Sequence, residues 1–252
     1  MTTTIAVAGK GGTGKTTIAA LLIELLSKRG VVLAIDGDPS SNLNMALGLP
    51  LTDTVGDVRE DMMEAVQSRS LDASIPKQDY LDLKIAEALV ESKGIDLLAM
   101  GRPEGPGCYC AANNMLRMCL KRLTKNYDYM VVDCEAGMEH VSRQTTQDVD
   151  ILLLVSDHTI RGIITAARMK DLIWELRSCV GRIALVVNRV HNGLSLEIEK
   201  AIQDFDLELI GLVPVDENVA NLDASGAPLT DLPSDSVIRL AVTDIAAKLK
   251  LT

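Results

Sequence analysis

One short run restricts this chain more than any other: Gly9-Lys10-Gly11-Gly12-Thr13-Gly14-Lys15-Thr16-Thr17, set directly behind the apolar stretch Thr4 to Ala8 and ahead of a strongly periodic helix. Gly9, Gly14, Lys15 and Thr16 match a Gly, four residues, then Gly-Lys-Ser/Thr, in the strand-before, helix-after context that gives the pattern its meaning. Glycines let backbone N–H groups close around phosphate oxygens, where a Cβ would block the approach. The spacing puts Lys15 on the β- and γ-phosphates of a nucleotide and the Thr16 hydroxyl on Mg²⁺, with the helix N-terminus adding partial positive charge. A nucleotide such as ATP or ADP with Mg²⁺ is the expected ligand.

The rest of the chain reads as strands alternating with helices. A helix is expected from about Lys15 to Arg29, stopped at Gly30, then a strand from Val31 to Ile35 ending in Asp36-Gly37-Asp38-Pro39. Further strands are read at Ile95 to Met100, Tyr129 to Val132, Ile151 to Ser156, Ile183 to Asn188 and Leu209 to Val213. Helices are read at about 112–123, Ile160 to Cys179, Leu194 to Phe205 and Ser234 to Leu249, the last with Val237, Ile238, Ala241, Ile245 and Leu249 on its apolar face. Leu51 to Lys93 is ambiguous, Asp53 to Val66 helical and Tyr80 to Val90 a helix or a strand, and Ala224 to Pro233 reads as a surface loop. The pattern predicts an α/β fold, a doubly wound, mainly parallel sheet with helices on both faces, and one domain over residues 1–252.

Composition narrows the partners. Hydrophobic residues make up 47% of the chain but aromatics 2%, a mix that suits a buried parallel sheet. The net charge of −10 opposes wide binding to nucleic-acid phosphates, which needs a basic surface. The longest apolar stretch, Val149 to Val155, is interrupted by Asp150 and is far below the roughly 18 residues of a membrane span. No signal peptide is legible, and five scattered cysteines do not form a disulfide framework, so the expected setting is the reducing cytoplasm, without membrane or nucleic acid.

Four further groups carry candidate chemistry. Asp133 closes the apolar run Val131-Val132-Asp133, where an acid complements a phosphate loop by orienting Mg²⁺ or its water. Asp38 stands at a neighbouring strand end, facing the place where ligands bind in open α/β sheets, and can make an Asx turn before Pro39, a role compatible with a catalytic one. Asn188 offers a donor and an acceptor to a purine edge, or is a plain turn residue. Cys108-x-Cys110 sits on a loop bounded by Gly and Pro and supplies two soft ligands, either for a metal or as buried or redox-active thiols. His140, His158 and His191 are scattered and read as structural, Cys119 and Cys179 as core, and Cys134 as packing or as a link to the metal.

The second lysine, Lys10, makes the loop resemble the deviant Walker A of the P-loop family that holds MinD, ParA, ArsA and the nitrogenase iron protein. The resemblance implies an ATP-dependent homodimer in which Lys10 reaches the partner's nucleotide. It further implies hydrolysis aided by Lys10, Lys15 and Asp38, whose run Asp36-x-Asp38-Pro39 is similar to the family's first switch, and an adenine edge read by Asn188 and lined by Pro214, Val215 and Asp216. A two-fold axis would let Cys108 and Cys110 of both subunits complete one four-thiolate site. Gly105-Pro106-Gly107-Cys108-Tyr109-Cys110, with Lys10, Asp38 and Glu139-His140, looks like the CooC/AcsF-type nickel-insertion ATPases. That likeness implies a slow ATPase handling Ni²⁺ (or Zn²⁺), with apo carbon monoxide dehydrogenase or acetyl-CoA synthase as client. The alternative is a MinD/ParA-like organising or targeting ATPase with structural zinc at the Cys pair.

Overall fold

A computed structural model describes residues 1–68, 76–101, 118, 121–135, 148–175 and 179–251. Among the described residues, eight strands form one sheet in the order β3-β4-β2-β5-β1-β6-β7-β8. They are β1 (Thr3–Gly9), β2 (Val32–Asp36), β3 (Val90–Glu91), β4 (Ile95–Ala99), β5 (Tyr129–Asp133), β6 (Asp148–Asp157), β7 (Cys179–Val190) and β8 (Leu209–Pro214). Every neighbouring pair is parallel except the short edge pair β3/β4. The expected doubly wound, mainly parallel α/β sheet is the fold observed.

The described helices are α1 (Lys15–Ser27), α2 (Leu43–Leu47), α3 (Val55–Gln67), α4 (Lys77–Glu87), α5 (Ile160–Glu175), α6 (Leu196–Asp204), α7 (Glu217–Ser225) and α8 (Val237–Lys248). They cover both faces, and the strands alternate between them. Ile5 and Val7 of β1 join α1 and α8 in one core, while Ala6 and Ala8 join Ile163, Ala166 and Ile173 of α5 in the other. Strands apolar on both sides have no solvent face, which is why β1, β2 and β5 read as unbroken hydrophobic runs. Among the described residues no helix is long and apolar enough to cross a membrane.

The ambiguous stretch 51–93 becomes a helix pair with a small core of its own. Val55, Val58 and Met62 of α3 pack on Leu81 and Ile85 of α4 and on Leu98. Thr54 starts α3 with a reciprocal capping box, accepting from the Asp57 N–H while the Asp57 carboxylate accepts from the Thr54 N–H. The helical reading of Tyr80 to Val90 is therefore right up to Glu87, after which Val90 turns into the edge strand.

Several expectations are corrected. The helix read as Ile160 to Cys179 is described over Ile160–Glu175, and Cys179 is not helical but an exposed residue of β7 (Cys179–Val190), paired in register with Asp148. It is not core, because a long β7 extends beyond the sheet's covered centre. The loop Ala224 to Pro233 is not all surface: Leu229 and Leu232 are buried and close the core beneath α1 and α8. The buried face of α8 is Ile238, Val242, Ile245, Ala246 and Leu249, whereas Val237 is 48% exposed. Cys119, most of the expected helix at 112–123, and the residues 139–140 lie outside the described residues.

Candidate nucleotide site

Parallel pairing brings two acidic strand ends and the glycine loop to one edge. Val7, Asp36 and Asp133 are level across β1, β5 and β2. At Gly9, the end of β1, an added Cβ would stand 2.1 Å from the Val155 carbonyl oxygen, so only glycine lets β1 pack against β6 there. Gly14 precedes α1 with φ +88, a conformation that favours glycine, and its missing Cβ leaves room for the Asn188 amide. Thr13, buried inside the loop, donates through Oγ1 to the Lys10 carbonyl at 2.8 Å and folds the turn on itself.

The amino end of α1 has no acidic residue in its first turn and no side-chain cap. Its N–H groups keep their partial positive charge for an anion. Gly11 and Gly12 are exposed at the loop crest beside exposed Lys10, and Thr17 is half-buried on the first turn of α1. Lys15 is buried, yet among the described residues the only hydrogen bond of its ammonium is a long 3.4 Å contact with the Lys10 carbonyl. A charge out of water with so little compensation is costly unless a ligand completes it.

Thr16 Oγ1 donates to Asp133 Oδ2 at 2.6 Å, joining α1 to β5. Asp133 is 1% exposed, and its other oxygen, Oδ1, has no hydrogen-bond partner among the described residues. Burial pushes this carboxyl up to about 7, with Asp36 and Asp38 adding to the rise and the Thr16 hydroxyl and Lys15 opposing it. An orphaned buried carboxylate oxygen beside a hydroxyl is the donor set a hard divalent cation or its water would use, so these residues fit Mg²⁺.

Asp36 is the residue the sequence reading undervalued. Its two oxygens accept from the Asp38 N–H at 3.0 Å and the Leu43 N–H at 2.9 Å, tying down both ends of the loop that presents Asp38. Burial raises its pKa against those two bonds, with the Asp38 charge adding to the rise. The available signal was an acid ending a buried strand beside the phosphate loop. Asp38 itself is half-buried and accepts from the Ser40 N–H at 2.8 Å, the Asx turn expected before Pro39.

On the other side of the loop, Asn188 is buried near the end of β7. It donates Nδ2 to the Thr13 carbonyl at 2.8 Å and accepts the Arg189 N–H at 2.8 Å. Pro214 ends β8, Val215 is exposed, and Asp216 caps α7 while also holding α8. The Asp216 carboxylate accepts from the Asn218 N–H and amide, from Ser236 Oγ at 2.6 Å and from the Ile238 N–H at 3.5 Å. Burial works against its charge, but those bonds together hold its pKa below the usual value.

The two expected metal thiols, Cys108 and Cys110, lie outside the described residues. The described chain stops at Gly101, just past the end of β4, whose Ala99 is level with Asp36. Cys134 is packed in the core, and burial, followed by the Asp133 charge, pushes its thiol up to about 12.

Comparison with known proteins agrees with this geometry. The family description "CobQ/CobB/MinD/ParA nucleotide binding domain" matches residues 4–229. An uncharacterized ATP-binding protein of Methanocaldococcus jannaschii is 44% identical over 246 residues, 97% of each chain. The carbon monoxide dehydrogenase accessory protein CooC of Rhodospirillum rubrum is 32% identical over 243 residues, covering 90% of this chain and 89% of CooC. Among solved structures, a ParA family ATPase from Chlorobium tepidum superposes with a TM-score of 0.74 at 20% identity, covering 100% of this chain and 99% of that one.

Proposed function

The chain belongs to the CobQ/CobB/MinD/ParA nucleotide-binding family, and from that premise we propose that it is an ATP-hydrolysing nickel chaperone, working as a homodimer, that loads an apo-metalloenzyme. The observation that carries this reading is the 32% identity to CooC across nearly the whole of both chains, with Cys108 and Cys110 spaced as in that likeness. The client is apo carbon monoxide dehydrogenase or acetyl-CoA synthase. The same reading takes residues 1–252 as one ATPase unit.

In this reading the Gly9–Thr17 loop holds the phosphates and Lys15 exchanges its weak Lys10 contact for the β- and γ-phosphate oxygens. Thr16 and Asp133 would hold Mg²⁺, which supplies charge neutralisation at the phosphates when bound. Asp38 orients the attacking water on a loop pinned by Asp36, and Lys10, free at the crest, reaches the partner's nucleotide. Asn188 keeps one amide hydrogen and one lone pair for the adenine edge after its two internal bonds, and the Pro214-Val215-Asp216 segment flanks the base. Cys108 and Cys110 from each subunit bind the Ni²⁺ cargo at the two-fold axis, so that metal and ATP alter each other's affinity by one common factor.

An anaerobic nickel titration with metal analysis and light scattering tests this, on the native protein and on Cys108→Ser, with and without nucleotide. One thiolate-bound nickel per dimer, lost in the variant and shifted in affinity by nucleotide, is expected. Nickel binding that is weak, or indifferent to Cys108, would overturn metal delivery and leave the organising ATPase with structural zinc.

A further inference from the structure

His158 and His191 stand 33 residues apart in the sequence, and the structure brings their rings together, centroids 6.0 Å apart and planes at 84°. The reading of the histidines as scattered is corrected for these two. His158 directly follows β6 and His191 directly follows β7, and these parallel strands are in register at Asp157 and Asn188. The turn after His158 is pinned as well: Asp157 Oδ1 accepts from the Thr159 N–H, and Thr159 Oγ1 accepts from the Gly162 N–H. Two exposed imidazoles are thus presented side by side by a backbone that sets their spacing.

The geometry points to a second metal site: His158 and His191 together chelate a borderline transition-metal ion such as Zn²⁺ or Ni²⁺, with water in the remaining positions. A zinc–imidazole bond is about 2.0–2.1 Å, which puts each ring centroid about 3.2 Å from the ion and two rings on a tetrahedral ion about 5 Å apart. The observed 6.0 Å closes to that distance by rotation of exposed side chains, which costs little and is fast. Of the charged residues beside the pair in the chain, Asp157 favours a cation while Arg161 and Arg189 oppose one. The ion must therefore be held by coordination rather than by field, which selects imidazole-seeking metals over Mg²⁺. Asn188, three residues before His191, bonds the phosphate loop at Thr13, so an ion here would clamp the strand ends next to the nucleotide. This site is independent of the Cys pair and of the nickel-delivery reading.

The chain has three histidines, which makes the test direct. In the Cys108→Ser/Cys110→Ser protein, Zn²⁺ is titrated at pH 7.5 while the imidazole ¹⁵N signals are followed by NMR. The expected result is that the His158 and His191 signals move together and saturate at one ion per chain, with His140 unmoved and Mg²⁺ without effect. His158→Ala or His191→Ala should weaken this binding by more than about tenfold, since even an outer-shell partner is worth that much. Both are surface changes, and thermal unfolding of the apo variants checks that the fold is kept. A shift of one ring alone, movement of His140 with the others, no shift at all, or unchanged affinity in the single variants would overturn the site.

Discussion

The two sides of the nucleotide site use their polar groups in opposite ways. On the phosphate side, polar capacity is left open: among the described residues Asp133 Oδ1 has no partner, Lys15 has one long contact and the α1 N-terminus has no side-chain cap. On the base side much of it is used within the fold, with Asn188 tied to the phosphate loop and to its neighbour's amide, and Asp216 joining two helices. The carboxyls record the contrast, Asp133 being pushed up to about 7 and Asp216 held below its usual value. Uncompensated buried charge is stored for a ligand to satisfy, whereas compensated charge holds a scaffold in place.

The largest effect should come from breaking the open side. Lys15→Ala should lower ATP hydrolysis by at least about 100-fold, as the loss of one preorganised charge donor does. Its nucleotide-free protein should unfold at an unchanged or higher temperature, because a poorly paired buried charge is gone. Steady-state kinetics with thermal melts checks both, and a destabilised Lys15→Ala would mean the lysine serves the scaffold after all.

Asn188→Ala should do the reverse. It strands the buried Thr13 carbonyl and the Arg189 N–H, at a cost of about 1–3 kcal/mol in urea unfolding without any ligand. If stability is unchanged, the Asn188 bonds are not holding the loop.

The pH response of the Mg²⁺-free protein sharpens the contrast further. Asp133 keeps its proton in the native state up to about pH 7 but loses it near 4 when unfolded, so the native state binds more protons in that window. Its contribution to stability therefore falls as pH rises from about 4 to about 7 and is level above that. Asp216 has a lowered native pKa, so its contribution is present above the ordinary value of 3.8 and is lost as pH falls through the native one. Asp133→Asn should flatten the upper window and raise stability at pH 8. Asp216→Asn should leave the shape of that window alone and lower stability throughout the range above the ordinary value of 3.8, the difference from the native protein closing as pH falls through the native pKa. Urea midpoints across pH separate the two.

The smallest effect is expected from Asp216→Ala. Losing this cap should cost about 1 kcal/mol of stability while leaving the preference for ATP over GTP as it was. A changed base preference would place the carboxylate itself against the base.

The nucleotide loop was legible because its chemistry is local. Gly9, Gly14, Lys15 and Thr16 are fixed by spacing along a single strand, turn and helix, and buried parallel strands write their burial into unbroken apolar runs. The helix pair at 51–93 was harder, since α3 and α4 bury a small core against β4 and leave weak periodicity. The boundary at Cys179 was missed because β7 runs past the sheet's centre, where strand and helix endings carry the same mix of residues.

By itself, the sequence determined that the chain folds as a mainly parallel α/β sheet and marked the loop proposed to hold a nucleotide's phosphates, because backbone sterics and hydrophobic period act over a few residues. Only the tertiary structure decided which acids are satisfied and which are left open, that Asp216 joins α7 to α8, and that His158 meets His191. Those outcomes depend on strand order and register, which bring together residues far apart in the chain, and no local pattern encodes them.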